Sequence, residues 1–258
     1  MKRFLLPLLL VARTFTTAQN GTDVLDPATL ITQHYGGAAK GTPPTLSWTP
    51  QGEDAKHFDD VPVKSVRTTV DTVLAVGDDV QLVFFRTTIP QDADMGEFCE
   101  LCVDHLGVAR YRHTPVGYVL EHFDKWFLAQ GVYEGAAKPS YVIVDGKPVA
   151  LLLSSSDGDM VANTRTDHYM DSKTLQTMLT VLGQEYTETR GGDDGPMMSM
   201  ITRTVRFVPD AKASKEHCDV QITTQLEEGE EGTVEDWTWP TGTDKYAPQP
   251  KTTPAQKK

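Results

Sequence analysis

Three apolar stretches near the middle of the chain predict strands. Residues Val80 to Phe85 are apolar almost without a break, as in strands that are covered on both faces of a sheet. Tyr141 to Val144 and Pro148 to Leu153 flank Asp145-Gly146, a dipeptide typical of a two-residue hairpin turn. The sequence therefore predicts one fully buried strand followed, some distance on, by a hairpin.

Shorter alternating segments predict further strands. Val108 to Arg112 has the two-residue period of a half-buried strand. Met200 to Val208 and Asp219 to Gln225 alternate and are rich in Val, Ile and Thr, which favours an antiparallel pair. These two segments form a predicted β extension near the C-terminus.

Helical spacing predicts five helices between the strands. Asp26-Pro27 is a typical helix start, and Val66, Val70 and Val73 fall on one helical face. Gly107, Gly131 and Gly183 each follow an apolar stripe at the place where a helix would end. The predicted helices cover residues 27–35, 65–77, 98–107, 114–131 and 171–183.

Composition and charge narrow the possible functions. The chain has 258 residues, of which 39% are apolar, so it can bury one sizeable core. Its formal net charge of −12 argues against binding to DNA, RNA or anionic lipid, which clustered Lys and Arg would hold. Residues 227–258 are rich in Glu, then in Pro, Thr and Lys, and are predicted to be a mobile acidic tail.

The N-terminus predicts export. Met1-Lys-Arg3 precedes an apolar run from Phe4 to Ala12, and the small residues Thr16 and Ala18 suit signal-peptidase cleavage before Gln19. No later apolar run approaches the roughly 18 residues that a membrane span needs. We expect a protein in a periplasm, in an ER lumen or outside the cell, with no membrane contact after the signal is removed.

Cys99 and Cys102 are the strongest chemical signal. A CxxC pair at the start of a helix is typical of a thiol redox site, because the helix N-terminus stabilises a thiolate. Cys99 would attack and Cys102 would resolve the mixed disulfide. Glu97 and Glu100 oppose thiolate formation, so we expect a reducing or isomerising couple and not a strong oxidant.

Two other interpretations of the cysteines remain open. The pair could be inert thiols on a packed helix. Alternatively, Cys99, Cys102 and His105 could bind Zn²⁺ together with Cys218, since thiolates and imidazole are zinc ligands. No phosphate-binding or dinucleotide motif is present, and we expect no cofactor.

The order of the predicted elements resembles the thioredoxin fold over about residues 62–183. The residues that carry the resemblance are Cys99, Cys102, Pro139 and the Asp145-Gly146 turn. It implies a cis Lys138–Pro139 bond, a substrate groove formed by Pro139 and Phe98, and thiol–disulfide exchange with protein substrates or a redox partner. The loop before Cys99 is longer than in that family, so the same fold used as a binding or chaperone-like module is the alternative.

The predicted fold class is therefore α/β, with a thioredoxin-like mixed sheet flanked by helices and a C-terminal antiparallel β extension. The predicted division of the chain is a signal peptide over 1–18, an irregular segment over 19–61, a thioredoxin-like domain over 62–190, the extension over 191–226 and the tail over 227–258.

Overall fold

The structure is a computed structural model of the chain. It describes residues 25–58, 63–90, 104–131, 138–158, 162–190, 196–209, 217–226 and 232–249. In this part of the chain there is one α-helix, α1 (Pro27–Tyr35), and one 3₁₀ helix, Gly52–Phe58. Neither of these described helices is long and apolar enough to cross a membrane.

The described residues otherwise form strands in two antiparallel sheets. The five-stranded sheet has the order β1-β2-β3-β4-β5, and the eight-stranded sheet has the order β13-β12-β11-β10-β9-β8-β7-β6. The strands of the first sheet are β1 (Thr45–Trp48), β2 (Val66–Val76), β3 (Val80–Thr88), β4 (Asp104–Thr114) and β5 (Gly117–Gly131). Those of the second are β6 (Ser140–Val144), β7 (Lys147–Gly158), β8 (Ala162–Met170), β9 (Thr177–Arg190), β10 (Pro196–Val208), β11 (Asp219–Gln225), β12 (Thr233–Thr238) and β13 (Ala247–Pro248).

The predicted fold class is wrong. The described part of the protein is mainly antiparallel β with two short helices, and it is not a helix-flanked thioredoxin-like α/β fold. The segments predicted as helices over 65–77 and 114–131 hold β2 and β5, and the one over 171–183 holds a turn and the first part of β9. The helix predicted over 98–107 overlaps β4 from Asp104 onwards, and its earlier residues lie outside the described part.

Residue type explains these corrections. Seven of the eleven residues of β2 are Val or Thr, whose branched Cβ atoms favour a strand over a helix. Pro115, which suggested a helix start, lies instead in the two-residue turn between Thr114 and Gly117. There the Thr114 hydroxyl donates a hydrogen bond to the carbonyl oxygen of Gly117, at 2.8 Å.

Several local predictions are confirmed. Helix α1 begins at Pro27, and the side chain of Asp26 accepts a hydrogen bond from the backbone N–H of Thr29, as an N-cap does. Asp145-Gly146 turns between β6 and β7 with positive φ at both residues, 50° and 76°. Strands β10 and β11 pair antiparallel, as the alternation near the C-terminus predicted.

The five-stranded sheet is buried on both faces. On the inner face, Leu82, Phe84 and Leu106 pack against Leu151 and Leu153 of the second sheet. The outer face is covered by α1, and residues of α1, β1, β3 and β4 form one apolar set there. This set comprises Leu30, Ile31, Leu46, Val83, Phe85, Ala109 and Tyr111.

The second sheet has its own apolar cluster on the face turned away from the first. Tyr169, Phe207 and Ile222 are buried there, and Trp237, Trp239 and Tyr246 pack with them. The backbone N–H of Tyr246 donates to the carbonyl oxygen of Met178 at 3.0 Å. Residues 232–249 are therefore part of the packed structure, although their composition assigned them to a mobile tail.

We predict that Phe85→Ala lowers the free energy of unfolding by about 3–5 kcal/mol, because it removes a fully buried ring and leaves a cavity under α1. Urea unfolding followed by circular dichroism measures the change. Val116→Ala is the control, since Val116 is 70% exposed and should shift stability by less than about 0.5 kcal/mol. Equal effects of the two substitutions would contradict the packing described above.

Candidate functional site

The residues of the predicted redox site are mostly outside the described part of the chain. Cys99, Cys102 and Phe98 fall within residues 91–103, which the structure does not describe. Pro139 is buried directly before β6, and its peptide bond with Lys138 is trans; the cis bond among the described residues is Thr42–Pro43. The cis-proline groove implied by the resemblance is therefore not formed.

The two described members of the predicted zinc set lie in different sheets. His105 is buried in β4 and faces the 3₁₀ helix, whereas Cys218 precedes β11 and packs with the apolar cluster of the second sheet. Cys218 is a free, half-buried thiol, and burial raises its pKa. Within the described ranges, no group of three or more His, Cys, Asp and Glu residues is placed to hold a metal ion.

The most chemically distinctive arrangement is a cluster that we call the cage. It consists of Tyr35, Trp48, Trp126 and Asp54, and it surrounds the ammonium group of Lys125. Lys125 Nζ lies 4.2 Å from the ring centroid of Trp48, 5.2 Å from that of Tyr35 and 5.6 Å from that of Trp126. All three distances are within the roughly 6 Å over which a ring attracts a cation.

Asp54 completes the cage with a full negative charge. Its Oδ2 is 2.6 Å from Lys125 Nζ, and its Oδ1 accepts a hydrogen bond of 3.0 Å from Trp126 Nε1. Burial acts to raise the pKa of Asp54, but the hydrogen bonds from Lys125 and Trp126 outweigh it and hold that pKa below its ordinary value. The cage therefore presents one carboxylate and three π faces to a single cation.

The rings of the cage are held by polar contacts within the sheet. Trp48 Nε1 donates to Thr68 Oγ1 at 2.9 Å, and the hydroxyls of Thr68 and Thr87 are hydrogen-bonded to each other at 2.8 Å. Both threonines are buried. Because Trp48 is fixed by the sheet and Trp126 by Asp54, the ring positions are set before any ligand arrives.

Gly107 makes room for the third ring. A Cβ atom built at Gly107 would lie 2.5 Å from the Tyr35 hydroxyl oxygen and 2.9 Å from the carbonyl oxygen of Lys125. The pairing of β4 with β5 shifts register between Leu106 and Val108, at this glycine. The irregularity allows Lys125 and Trp126, neighbours in sequence, both to contact the cage.

The Tyr35 hydroxyl has an unusual environment. It is buried and makes no well-formed hydrogen bond among the described residues, although the Thr87 side chain is near enough to lower its pKa slightly. Burial raises the pKa of Tyr35 well above its ordinary value, so the phenol is neutral at physiological pH. An unpartnered buried hydroxyl costs stability, so the cage is not optimised for packing alone.

A second pair of polar groups lies in the eight-stranded sheet. The hydroxyl of Ser155 is 3.0 Å from His168 Nε2, and burial lowers the pKa of His168 below its ordinary value. Asp167 does not extend this pair to a triad, because its carboxylate accepts a hydrogen bond from Ser154 and pairs with Arg165. These contacts explain the local pairing of β7 and β8, and the cage remains the better candidate.

Comparison with known proteins places the chain in no family. No family model, no curated protein and no solved structure matches it significantly.

Sequence reasoning missed the cage because its members are far apart in the chain. Asp54 and Lys125 are separated by 71 positions, and Trp126 was assigned to the apolar stripe of a helix that is in fact β5. The available signal was weak: Trp48, a large aromatic residue, occurs within a stretch of Gly, Pro and Thr. Only the pairing of the strands brings these residues together.

We predict that Gly107→Ala destabilises the protein by about 1–3 kcal/mol, because the new methyl group overlaps the Tyr35 hydroxyl and a backbone oxygen. Tyr35→Phe alone should be neutral or stabilising, since it removes a buried hydroxyl that has no partner. In the double variant, Tyr35→Phe should recover part of the loss. Urea unfolding of the four proteins gives the coupling energy, and strictly additive effects would refute the proposed contact.

Proposed function

We propose that this chain is an exported binding protein that captures primary organic ammonium ions in the cage. The observation that carries the proposal is the convergence of Asp54 and three aromatic rings on one ammonium position, which the side chain of Lys125 now occupies. Export is supported by the signal-like pattern of residues 1–18.

The contacts favour a primary ammonium over other cations. Asp54 accepts a hydrogen bond from Lys125 Nζ, and a primary ammonium from a ligand could donate in the same way. A quaternary ammonium would keep the attraction of the rings but has no N–H to donate. The formal net charge of −12 also favours the approach of cations over that of anions.

The ammonium position is accessible enough for exchange. The side chain of Lys125 is 20% exposed and that of Asp54 is 30% exposed, so the pair is not sealed in the core. A ligand would displace the Lys125 side chain towards solvent. We therefore treat Lys125 as the occupant of the site in the absence of ligand.

We predict that n-butylammonium, which matches the Lys125 side chain, binds the wild-type protein saturably. It should bind the Lys125→Ala variant at least about tenfold more tightly, because the tethered competitor is gone. Fluorescence of Trp48 and Trp126 during titration provides the measurement. Absence of saturable binding to both proteins would rule out the proposal.

Controls for this titration come from the ligand and from the chain. n-Butanol, a neutral analogue, should bind at least about tenfold more weakly than n-butylammonium, and choline should lie between them. Asp54→Asn should weaken n-butylammonium binding by about tenfold, because a charge-assisted hydrogen bond is lost. Glu53→Gln should leave it unchanged, since Glu53 lies on the same 3₁₀ helix with its side chain 88% exposed.

Thiol–disulfide exchange through Cys99 and Cys102 remains a prediction from the sequence and is the alternative to binding. If the chain is a binding protein, the wild type and the Cys99→Ser variant should reduce insulin in the presence of dithiothreitol at the same rate. A rate that falls in the variant by tenfold or more would instead favour exchange, and the cage would then be a structural feature.

A further inference from the structure

Two short elements cover the outer face of the five-stranded sheet, and α1 is joined to it by His34. The ring of His34 stacks on Phe123 at a centroid distance of 4.1 Å and meets Phe85 edge-on at 5.4 Å. Its Nε2 is 2.6 Å from the hydroxyl oxygen of Tyr111. Burial raises the pKa of Tyr111 to about 12, so this hydrogen-bond partner of His34 stays neutral.

The second cover, the 3₁₀ helix Gly52–Phe58, is joined to the sheet by His105. Nε2 of His105 donates to the carbonyl oxygen of His57 at 3.1 Å, which fixes the proton of a neutral His105 on Nε2. Phe58 and Trp126 contact the His105 ring edge-on, at 5.0 and 5.1 Å. A second proton would therefore go to Nδ1 and place a charge beneath the helix.

The surroundings of both rings disfavour a positive charge. Burial lowers the pKa of His34 to about 4, and its contacts on β3, β4 and β5 include one titratable group, the neutral Tyr111. Burial also lowers the pKa of His105 to about 4; the hydrogen bond to the His57 carbonyl opposes this, and the nearby His57 side chain adds to it.

Trp126, which contacts the His105 ring, is also bonded to Asp54 of the Asp54–Lys125 pair, and that pair keeps its charges in this range. The pKa of Asp54 is below its ordinary value, so acidification from pH 7 to pH 5 leaves its carboxylate charged. The pair resists release of the 3₁₀ helix at every pH in that interval.

We propose that protonation of His34 and His105 releases α1 and the 3₁₀ helix from the five-stranded sheet while the two sheets stay packed together. Release exposes each ring to water, where a histidine binds its proton near pH 6.5. The released state therefore binds more protons than the docked state between about pH 6.5 and pH 4, and docking weakens as the pH falls through that interval.

Release would also take the cage apart, since α1 supplies Tyr35 and the 3₁₀ helix supplies Asp54. That consequence rests on the proposed function, whereas the release itself can be measured without a ligand. If the cage fails to bind n-butylammonium, the proposed release of the helices can still be correct. If the cage binds it, the release still needs its own experiment.

Nuclear magnetic resonance between pH 7 and pH 5 tests the proposal on the full chain. Amide protection factors over residues 27–35 report on α1, and the indole N–H of Trp126, which is bonded to Asp54, reports on the 3₁₀ helix. The protection factors of the α1 amides should fall by about tenfold. This is less than the full difference in the pKa of His34 between the docked and released states would give, because the docked His34 ring keeps some contact with solvent. The indole N–H of Trp48, which is bonded to Thr68, and the amides of β3 should not change.

Each histidine supplies the control for the other. His34→Gln should abolish the pH dependence of α1 alone, and His105→Gln, which can still donate to the His57 carbonyl oxygen, should abolish that of the Trp126 indole alone. His113→Gln, an exposed site, should alter neither. The proposal fails if His34→Gln and His105→Gln both keep the wild-type pH dependence. It also fails if the amides of β3 lose protection together with α1 and the 3₁₀ helix.

Discussion

Strand β3 buries side chains on both of its faces, and this constraint determines what lies on either side of the five-stranded sheet. Leu82 and Phe84 point to one face, Val83 and Phe85 to the other, and all four are fully buried. Because alternate residues of a strand face opposite ways, each face needs a cover of its own. One face is covered by the second sheet, the other by α1 and the 3₁₀ helix.

The two covers differ in how they are held. The second sheet has its own apolar cluster on the face turned away from β3, so its strands stay in place independently of their contact with β3. Helix α1 has nine residues and the 3₁₀ helix has seven, which is too short for either to be stable alone in water. Their position depends on a few buried apolar side chains, Leu30 and Ile31 of α1 and Phe58 of the 3₁₀ helix. The contacts of His34, Tyr35, Asp54 and His105 add to these. A site built from such elements can respond to ligand or pH without disturbing the sandwich, because local opening leaves the core strands intact.

The sequence was sufficient to predict the features that depend only on residues close together in the chain. The apolar run of β3, the Asp145-Gly146 turn and the Asp26 cap each depend on neighbouring residues, and each was predicted. Strand β2 was missed because its pairing with β3 shifts register between Val70 and Thr72. Such an irregularity changes the phase of the alternation, and the apolar residues then fall at intervals that resemble those of a helix.

The cage could not be predicted from the sequence for a different reason. Its members come from α1, β1, the 3₁₀ helix and β5, and none of them has a neighbour in sequence that marks its role. The cysteines, in contrast, formed a recognisable motif, but the fold that gave the motif its meaning is absent. A short motif is informative only if the predicted elements around it are correct, and here the helices predicted over 114–131 and 171–183 are replaced by β5, a turn and the start of β9.

Under the proposed function, Lys125 limits what the ligand can be. A tethered side chain competes with a free ligand at an effective concentration of the order of millimolar or more, so a small amine with the same contacts would bind weakly. An ammonium ligand that displaces Lys125 at low concentration must therefore make contacts outside the cage. The exposed edge of the Lys125–Asp54 pair is where a longer ligand would leave the site. Under the proposed function, the cage selects the charge, and the surface around that edge determines which amine is bound.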